Sequence, residues 1–251
     1  MQKYFNLNKN GLSLNCKLYY SSPESIKKVV LFLHGFTGNK DNRTAEQFFK
    51  KLSERDAETA LLIYDAPTHG DDKSPTLTVE SCMEYIKAAL EYINEELKPE
   101  EIYGGGVSFG GYQTLRYLEE NGNPFKKIAL RSPAVGMDTV LAERIMSKEE
   151  LNACRNGKTV IVKGSSTLPI TKETVASFEN ADISDFDFTP YSDKIFIVHG
   201  DDDTLVDFAW VKAFCEKNKI EYKTVSGAGH HFAEPEKLDK SLTLMAEFFK
   251  N

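Results

Sequence analysis

The stretch Gly104-Gly105-Gly106-Val107-Ser108-Phe109-Gly110-Gly111 decides the fold, because it joins a short strand pattern to a helical one. Residues 101–103 form the strand pattern before it, and residues 112–120 form the helical pattern after it. Within the stretch, Gly106 and Gly110 flank Ser108 in a Gly-x-Ser-x-Gly arrangement. Such glycines let a strand and a helix pass closely, and the turn between them exposes the serine hydroxyl. The pattern arises by chance in roughly one chain in ten of this length, so its meaning depends on the other residues.

Composition limits the class of protein. The chain has 251 residues, of which 41% are hydrophobic and 27% charged, as expected for one large α/β domain or two small ones. The formal net charge of -7 argues against nucleic acid or an anionic membrane surface as a partner. No apolar run is long enough to predict a membrane span. The N-terminus lacks the apolar core of a signal peptide, so a cytoplasmic location is expected.

The cysteines give no sign of a metal site. Cys16, Cys82, Cys154 and Cys215 are far apart in the chain and lie beside no cluster of histidines. Zinc sites need closely spaced cysteine or histidine pairs, so neither a metal nor another cofactor is predicted. We interpret the four residues as reduced, mostly buried thiols.

Apolar runs and helical patterns alternate from residue 29 to the end of the chain. Strands are predicted at residues 29–33, 60–64, 101–103, 128–130, 195–198 and 222–225. Apolar stripes predict helices within residues 45–52, 79–97, 112–120, 208–215 and 238–249. Near the N-terminus, Asn10-Gly11 lies between residues 4–7 and a run in which Leu12, Leu14, Cys16 and Leu18 alternate, which predicts a β-hairpin with a type I′ turn. The expected fold is therefore α/β, a doubly wound and mostly parallel sheet with an antiparallel N-terminal hairpin.

Residues 134–191 interrupt this alternation. A capping box at Ser147 and Glu150 predicts a helix, residues 159–162 read as a strand, and residues 171–180 as a second helix. We interpret the region as a small inserted cap, or lid; the alternative is an ordinary connection with two surface helices. The core would then be residues 1–133 and 192–251. The aromatic surface of the cap would come from Phe178, Phe186, Phe188 and Tyr191.

Three residues with catalytic chemistry follow predicted strands. Ligands of a doubly wound sheet bind beyond the carboxyl ends of its strands. Ser108 follows one strand, the run His199-Gly200-Asp201-Asp202-Asp203 follows another, and His230-His231 comes after the last. A serine, an acid and a histidine therefore occur in the chain order of hydrolases that have a nucleophile elbow.

On these motifs the chain resembles the α/β-hydrolases over nearly its whole length. The motifs are His34-Gly35-Phe36-Thr37-Gly38, the Gly-x-Ser-x-Gly stretch, residues 199–206 and Gly227-Ala228-Gly229-His230. The resemblance assigns the acid to Asp203, three residues after the glycine of His-Gly, and the catalytic histidine to His230, directly after Gly-x-Gly. It assigns the N–H donors of an oxyanion hole to Phe36 and Phe109.

The neighbours of these residues receive structural interpretations. Asp201 and Asp202 are read as turn-formers, and His231 as a neighbour that packs against or lines the site. His34 and His69 are expected to bond loop backbones. The chain departs from the family pattern at three places: Val107 stands where many relatives carry histidine, residues 65–70 match only partly, and Asp207 stands where proline is usual.

The resemblance implies a serine hydrolase of small-molecule carboxylic esters, similar to bacterial cinnamoyl/feruloyl esterases and monoacylglycerol-lipase-like hydrolases. His230 would take the proton of Ser108, Asp203 would hold the tautomer of His230, and an acyl-enzyme would form. Cap aromatics would suit a short or medium acyl group or a hydroxycinnamoyl group. The alternatives are a thioesterase or an amidase/peptidase with the same residues, and a non-catalytic binding protein on this fold. The oligomeric state is left open, with a homodimer among the alternatives.

Overall fold

The structure, a computed structural model, describes residues 1–250. Its strands are β1 (Gln2–Lys9), β2 (Leu12–Tyr19), β3 (Lys28–Leu33), β4 (Thr59–Tyr64), β5 (Glu101–Val107), β6 (Ile128–Arg131), β7 (Val160–Lys163), β8 (Thr167–Ile170), β9 (Ile195–Gly200) and β10 (Glu221–Val225). Its helices are α1 (Arg43–Arg55), α2 (Val79–Tyr92), α3 (Phe109–Asn121), α4 (Met137–Val140), α5 (Lys148–Arg155), α6 (Lys172–Glu179), α7 (Phe208–Asn218) and α8 (Pro235–Lys250). Single π-helical turns extend α2 through Ile93–Leu97 and α4 through Leu141–Ile145.

Eight strands form one sheet in the order β1-β2-β4-β3-β5-β6-β9-β10. The six strands from β4 to β10 run parallel, whereas β2 lies antiparallel to β4. This arrangement confirms the predicted α/β class with its antiparallel N-terminal edge. Since the parallel strands point the same way, the loops after β3, β4, β5, β6, β9 and β10 gather at one edge, called here the carboxyl edge.

The N-terminal hairpin has the predicted two-residue turn. Lys9 pairs with Leu12, and both turn residues have positive φ, 52° at Asn10 and 78° at Gly11. A type I′ turn needs positive φ at both central positions, which asparagine and glycine tolerate best. The turn therefore determines the register of the antiparallel edge.

The two faces of the sheet carry separate cores. One core contains buried side chains of α2, α3 and α7, and the other contains those of α1 and α8.

All four cysteines are buried free thiols, as predicted, and burial raises the pKa of Cys16 and Cys215 to about 12. Within residues 1–250, no helix combines the length and apolar character that crossing a membrane requires.

The inserted segment, residues 134–191, holds α4, α5, the β7–β8 hairpin and α6. Its predicted capping box is present, because Ser147 Oγ accepts from the Glu150 N–H while the Glu150 carboxylate accepts from the Ser147 N–H. Strand β8 and helix α4 were not predicted. Buried side chains of the segment, such as Leu151 and Phe178, belong to the same core cluster as α2 and α3. The segment therefore packs as a continuation of one core rather than around a core of its own.

Candidate active site

Ser108 lies on a sharp turn between β5 and α3, with φ 52° and ψ -115°. A positive φ is unfavourable for a residue with a Cβ, so the surrounding packing must hold it in place. The glycines permit that packing. A Cβ on Gly106 would lie 2.8 Å from the Gly110 carbonyl, and one on Gly110 would lie 2.1 Å from the Leu33 oxygen. The Gly-x-Ser-x-Gly pattern thus reflects close contact of β5, α3 and β3.

The structure brings Ser108, His230 and Asp203 together. His230 Nδ1 lies 2.7 Å from Asp203 Oδ2, and His230 Nε2 lies 2.9 Å from Ser108 Oγ. A carboxylate can only accept, so Nδ1 carries the proton and Nε2 is left to accept the hydrogen bond of the serine hydroxyl. In this tautomer the imidazole is positioned to act as a base toward Ser108.

Asp203 is held in its ionised form by four donors. Its Oδ1 accepts the backbone N–H groups of Leu205 and Val206 at 3.0 and 2.8 Å. Its Oδ2 is approached by His230 and, at 3.1 Å, by Nε2 of the buried His199. Burial alone would raise the pKa of Asp203, but the hydrogen bonds of His199 and His230 outweigh it and hold the pKa well below its usual range.

His199 was not given a role from the sequence. Its Nε2 lies 2.9 Å from the carbonyl oxygen of Val206, which can only accept, so Nε2 is the protonated nitrogen. The same N–H is shared with Asp203. His199 therefore ties Asp203 to the loop that carries it. In the sequence, the signal that could have identified His199 was its place in a His-Gly pair four residues before an acid.

The two predicted oxyanion donors lie beside Ser108. A Cβ built on Gly35 would lie 3.5 Å from Ser108 Cβ, so the turn that carries Phe36 lies against the serine. Phe109 is the first residue of α3, where helical N–H groups have no partner within the helix. The rings of Phe36 and Phe109 meet edge to face at 5.6 Å. Phe36 and Phe109 thus both lie next to the serine, and their N–H groups remain the predicted donors of one oxyanion site.

A buried ion pair holds the loop after β3 in place. Lys40 Nζ lies 2.9 Å from Asp65 Oδ2, and the Lys40 N–H donates to Asp65 Oδ1 at 2.6 Å. The exposed Asp71 adds a second carboxylate to Lys40. A Cβ on Gly70 would lie 2.5 Å from the Asp65 carboxyl group, so the loop after β4 closes tightly over this pair.

His34 and His69 bond loop backbones, as expected. His34 Nδ1 donates to the Gly35 oxygen at 2.9 Å and its Nε2 accepts from the Ala66 N–H at 3.1 Å. His69 Nδ1 donates to the Pro67 oxygen at 2.9 Å. Burial lowers the pKa of His34, and burial together with the neighbouring His34 lowers that of His69 to about 3. Both rings are therefore neutral parts of the loop structure.

A cavity of about 520 Å³ opens at Ser108. The loops of the carboxyl edge supply one wall of it, including the partly buried His230 and the exposed His231. The inserted segment supplies the opposite, mostly aliphatic wall, which contains Met137, Val140, Ile145 and Val162.

The prediction of an aromatic cap surface is wrong for Phe178 and Phe188, whereas Phe186 and Tyr191 are partly exposed. Phe178 is buried against the rings of Phe109 and Tyr112, and Phe188 is buried between Phe186 and Phe214. Neither ring lines the cavity. The sequence shows that the segment is rich in aromatic residues, but it does not show whether a given ring meets the core or the cavity.

The turn between β7 and β8 contacts the loop that carries Phe36. The Ser166 N–H donates to the Thr37 oxygen at 2.7 Å, and Ser166 Oγ donates to the Gly38 oxygen at 3.2 Å. The same Oγ accepts from the Gly70 N–H at 3.3 Å. One residue of the inserted segment thus joins the loops after β3 and β4.

Comparisons with known proteins agree with this architecture. A family model described as the alpha/beta hydrolase fold matches residues 28–155, just over half of the chain. No curated protein sequence is significantly similar to the chain. The structure of Est1E from Butyrivibrio proteoclasticus with ferulic acid bound has a TM-score of 0.74 at 19% identity, over 98% of this chain and 100% of that one.

Two further solved structures are similar to this chain over most of their own length. The esterase Pf2001 of Pyrococcus furiosus has a TM-score of 0.71 at 18% identity, over 100% of this chain and 92% of that one. XC6422 of Xanthomonas campestris, described as a serine hydrolase without lid, has a TM-score of 0.67 at 13% identity, over 99% and 94%. At these identities the likeness shows the fold. With the family match and the sheet order, it establishes that the chain belongs to the α/β-hydrolase family.

Proposed function

We propose that the protein is a serine hydrolase of carboxylic esters that works through an acyl-enzyme intermediate. The observation that carries the proposal is the continuous series of hydrogen bonds from Asp203 through His230 to Ser108, at 2.7 and 2.9 Å. A serine hydroxyl is a poor nucleophile at neutral pH and needs a base within hydrogen-bond reach, which His230 provides.

The first half of the reaction would form the acyl-enzyme. Ser108 Oγ attacks the ester carbonyl carbon while its proton passes to His230 Nε2, and the Phe36 and Phe109 N–H groups bind the oxyanion. Collapse of the tetrahedral intermediate breaks the bond to the alcohol oxygen, which takes the proton from His230. Each oxyanion donor typically contributes about 3 kcal/mol of transition-state stabilisation.

The second half would release the acid. Water attacks the acyl carbon and gives a proton to His230, and the second tetrahedral intermediate collapses with return of that proton to Ser108 Oγ. Asp203 stays ionised throughout and stabilises the imidazolium that forms twice in the cycle. The low pKa of Asp203 supports this role.

The cavity favours a compact substrate. A volume of about 520 Å³ suits a short or medium acyl group, and the inserted segment, which we propose acts as a cap, lines it with Met137, Val140 and Ile145. A hydroxycinnamoyl ester is the natural aromatic substrate to test, because Est1E, a protein of similar fold, binds ferulic acid. The same three residues could also cleave a thioester or an amide, and matched ester, thioester and anilide substrates distinguish these reactions.

The decisive experiment is Ser108→Ala. We expect ester turnover to fall by about a millionfold and labelling by a fluorophosphonate to disappear, with an unchanged circular dichroism spectrum. Ser53→Ala is the matched control, since Ser53 only bonds a carbonyl on α1 far from the cavity. Retained turnover in Ser108→Ala would contradict the mechanism. A native protein that neither reacts with the fluorophosphonate nor cleaves any ester would instead favour a non-catalytic binding protein.

A further inference from the structure

Arg131 is a buried cation without a counter-charge. The residue ends β6 and is only 5% exposed. Its Nε and Nη1 have no hydrogen-bond acceptor among residues 1–250, and its Nη2 makes one long contact, 3.5 Å to Thr44 Oγ1. The guanidinium lies 5.0 Å from the centre of the Phe232 ring. An aromatic face attracts a cation but accepts none of its directed N–H bonds.

The position of Arg131 links it to the reacting serine. Arg131 pairs with Val107 across β5 and β6, and its carbonyl oxygen accepts the backbone N–H of Ser108 at 3.0 Å. Arg131 and Ser108 line the same cavity. A ligand group bound by the guanidinium would therefore belong to a molecule that can also reach Ser108 Oγ.

The rest of the cavity favours an anion. Its lining contains Arg131 and Lys163 but neither aspartate nor glutamate. The adjacent Ser132 also lines it, and the buried Ser132 hydroxyl has no partner among the described residues. Two neighbouring residues that line the cavity thus each carry a buried donor without a partner among the described residues. Natural proteins rarely leave buried polar groups unpaired unless a ligand or water pairs with them.

Burial lowers the pKa of this arginine. Removing the guanidinium from water lowers the pKa of Arg131 to about 10, and the group still carries its charge at neutral pH. A buried charge is strongly unfavourable until it is paired. A carboxylate matches the planar fork of a guanidinium with two parallel hydrogen bonds.

We infer that Arg131 and Ser132 form a carboxylate-binding subsite, so that the substrates are esters that carry a second, ionised carboxyl group. A carboxylate is favoured over a phosphate monoester because one buried cation balances one negative charge, whereas a phosphate carries nearly two. Lys163 is exposed at the opening of the cavity and attracts anions there without being part of the subsite. The inference rests on the proposed ester hydrolysis and names its substrate class.

The test compares two substrates of the same shape. Monomethyl glutarate carries a free carboxylate, and methyl glutaramate replaces that carboxylate by a neutral amide. The native protein should cleave monomethyl glutarate with the higher kcat/KM. In Arg131→Met the ratio of the two kcat/KM values should fall by roughly 10- to 100-fold, mainly through KM, because a charged hydrogen-bonded pair is lost. A second pair, O-acetylglycolate and O-acetylglycolamide, places the carboxylate on the alcohol side, and a charge preference in either pair that Arg131→Met abolishes supports the subsite.

The controls separate the subsite from general effects of charge and folding. Arg43→Met removes an exposed cation from the start of α1 and should leave the substrate ratio unchanged. Lys163→Met tests the opening of the cavity and should change the ratio less than threefold. Calorimetric titration of glutarate into native protein and Arg131→Met measures binding without turnover.

Three outcomes overturn the inference. The first is that the native protein cleaves both members of each substrate pair with equal kcat/KM. The second is that Arg131→Met lowers kcat/KM equally for both members. The third is that Arg131→Met binds glutarate as tightly as the native protein does. If the fluorophosphonate labels Ser108 and the protein cleaves a neutral ester, these results do not contradict the proposed function. Absence of labelling and of all turnover contradicts the proposed function, and the glutarate titration then still tests the subsite by itself.

Discussion

Lys40 and Arg131 are both buried cations at the carboxyl edge of the sheet, but their surroundings differ. Lys40 lies between the carboxylates of Asp65 and Asp71, and burial, which would lower its pKa, is outweighed by these partners, which raise it. Within residues 1–250 no carboxylate pairs with Arg131, and burial alone lowers its pKa. A cation with built-in partners holds two loops together, whereas a cation without them is available to a ligand. The contrast distinguishes a structural buried charge from a binding one.

Breaking the Lys40 pair should have the largest effect on stability. Asp65→Asn leaves a buried ammonium with only the exposed Asp71 and, at 4.0 Å, the exposed Asp41 as carboxylate partners, and removal of one member of a buried pair typically costs about 3–5 kcal/mol. Urea unfolding of the native and variant proteins measures the loss. Asp71→Asn removes the exposed partner and should cost less than about 1 kcal/mol. Equal losses in the two variants would show that Asp65 is no more important than a surface carboxylate.

Acid should destabilise the Lys40 region through His69. The folded pKa of His69 is about 3 and the ordinary value 6.5, so below pH 6.5 the unfolded chain binds a proton that the folded chain excludes. Stability is therefore lost as the pH falls from 6.5 toward 3, by up to about 1.4 kcal/mol for each pH unit from this group. His69→Asn keeps a donor for the Pro67 oxygen and removes the titration. Its unfolding free energy should fall less steeply with acid than that of the native protein, and parallel curves would exclude His69 as a cause.

The smallest expected effect is a gain in stability at Arg131. Arg131→Met replaces an unpaired buried charge by an apolar side chain and should raise the unfolding free energy by about 1 kcal/mol in the absence of ligand. Lys40→Met makes the same replacement but leaves Asp65 without its cation, so it should lower stability. Opposite signs for one substitution type would support the comparison directly. A loss of stability in both variants would mean that Arg131 is held by partners other than a ligand.

The sequence predicted the residues whose signals are local. Ser108, Asp203 and His230 each lie just beyond a strand, and parallel strands bring such positions to one edge regardless of the details of packing. The family match ends at residue 155 and does not cover Asp203 and His230, whose roles were assigned by the resemblance to the family motifs. The geometry of 2.7 and 2.9 Å that joins them depended on the fold.

The features that the sequence did not predict depend on distant contacts. Arg131 looks like a strand-end cation that would reach solvent, and it is buried because Thr44 and Phe232, far away in the chain, cover it. His199 contacts Asp203 only because the loop after β9 folds back on the strand. Strand β8 contains Pro169 and pairs only with β7, and proline at an edge strand weakens any strand pattern.

Because Ser166 contacts the loops after β3 and β4, the inserted segment cannot be exchanged without affecting those loops. The residue belongs to the inserted segment, which lines the cavity at Ser108, yet it bonds the backbone beside Phe36, the proposed oxyanion donor. Gly164 is tied to the same place, since a Cβ there would lie 2.2 Å from Thr37 Oγ1. Replacing the segment by that of another hydrolase would therefore alter the rate of the chemical step together with substrate choice. A transplanted segment must keep a Gly-x-Ser turn at this point if the host loop is to retain its shape.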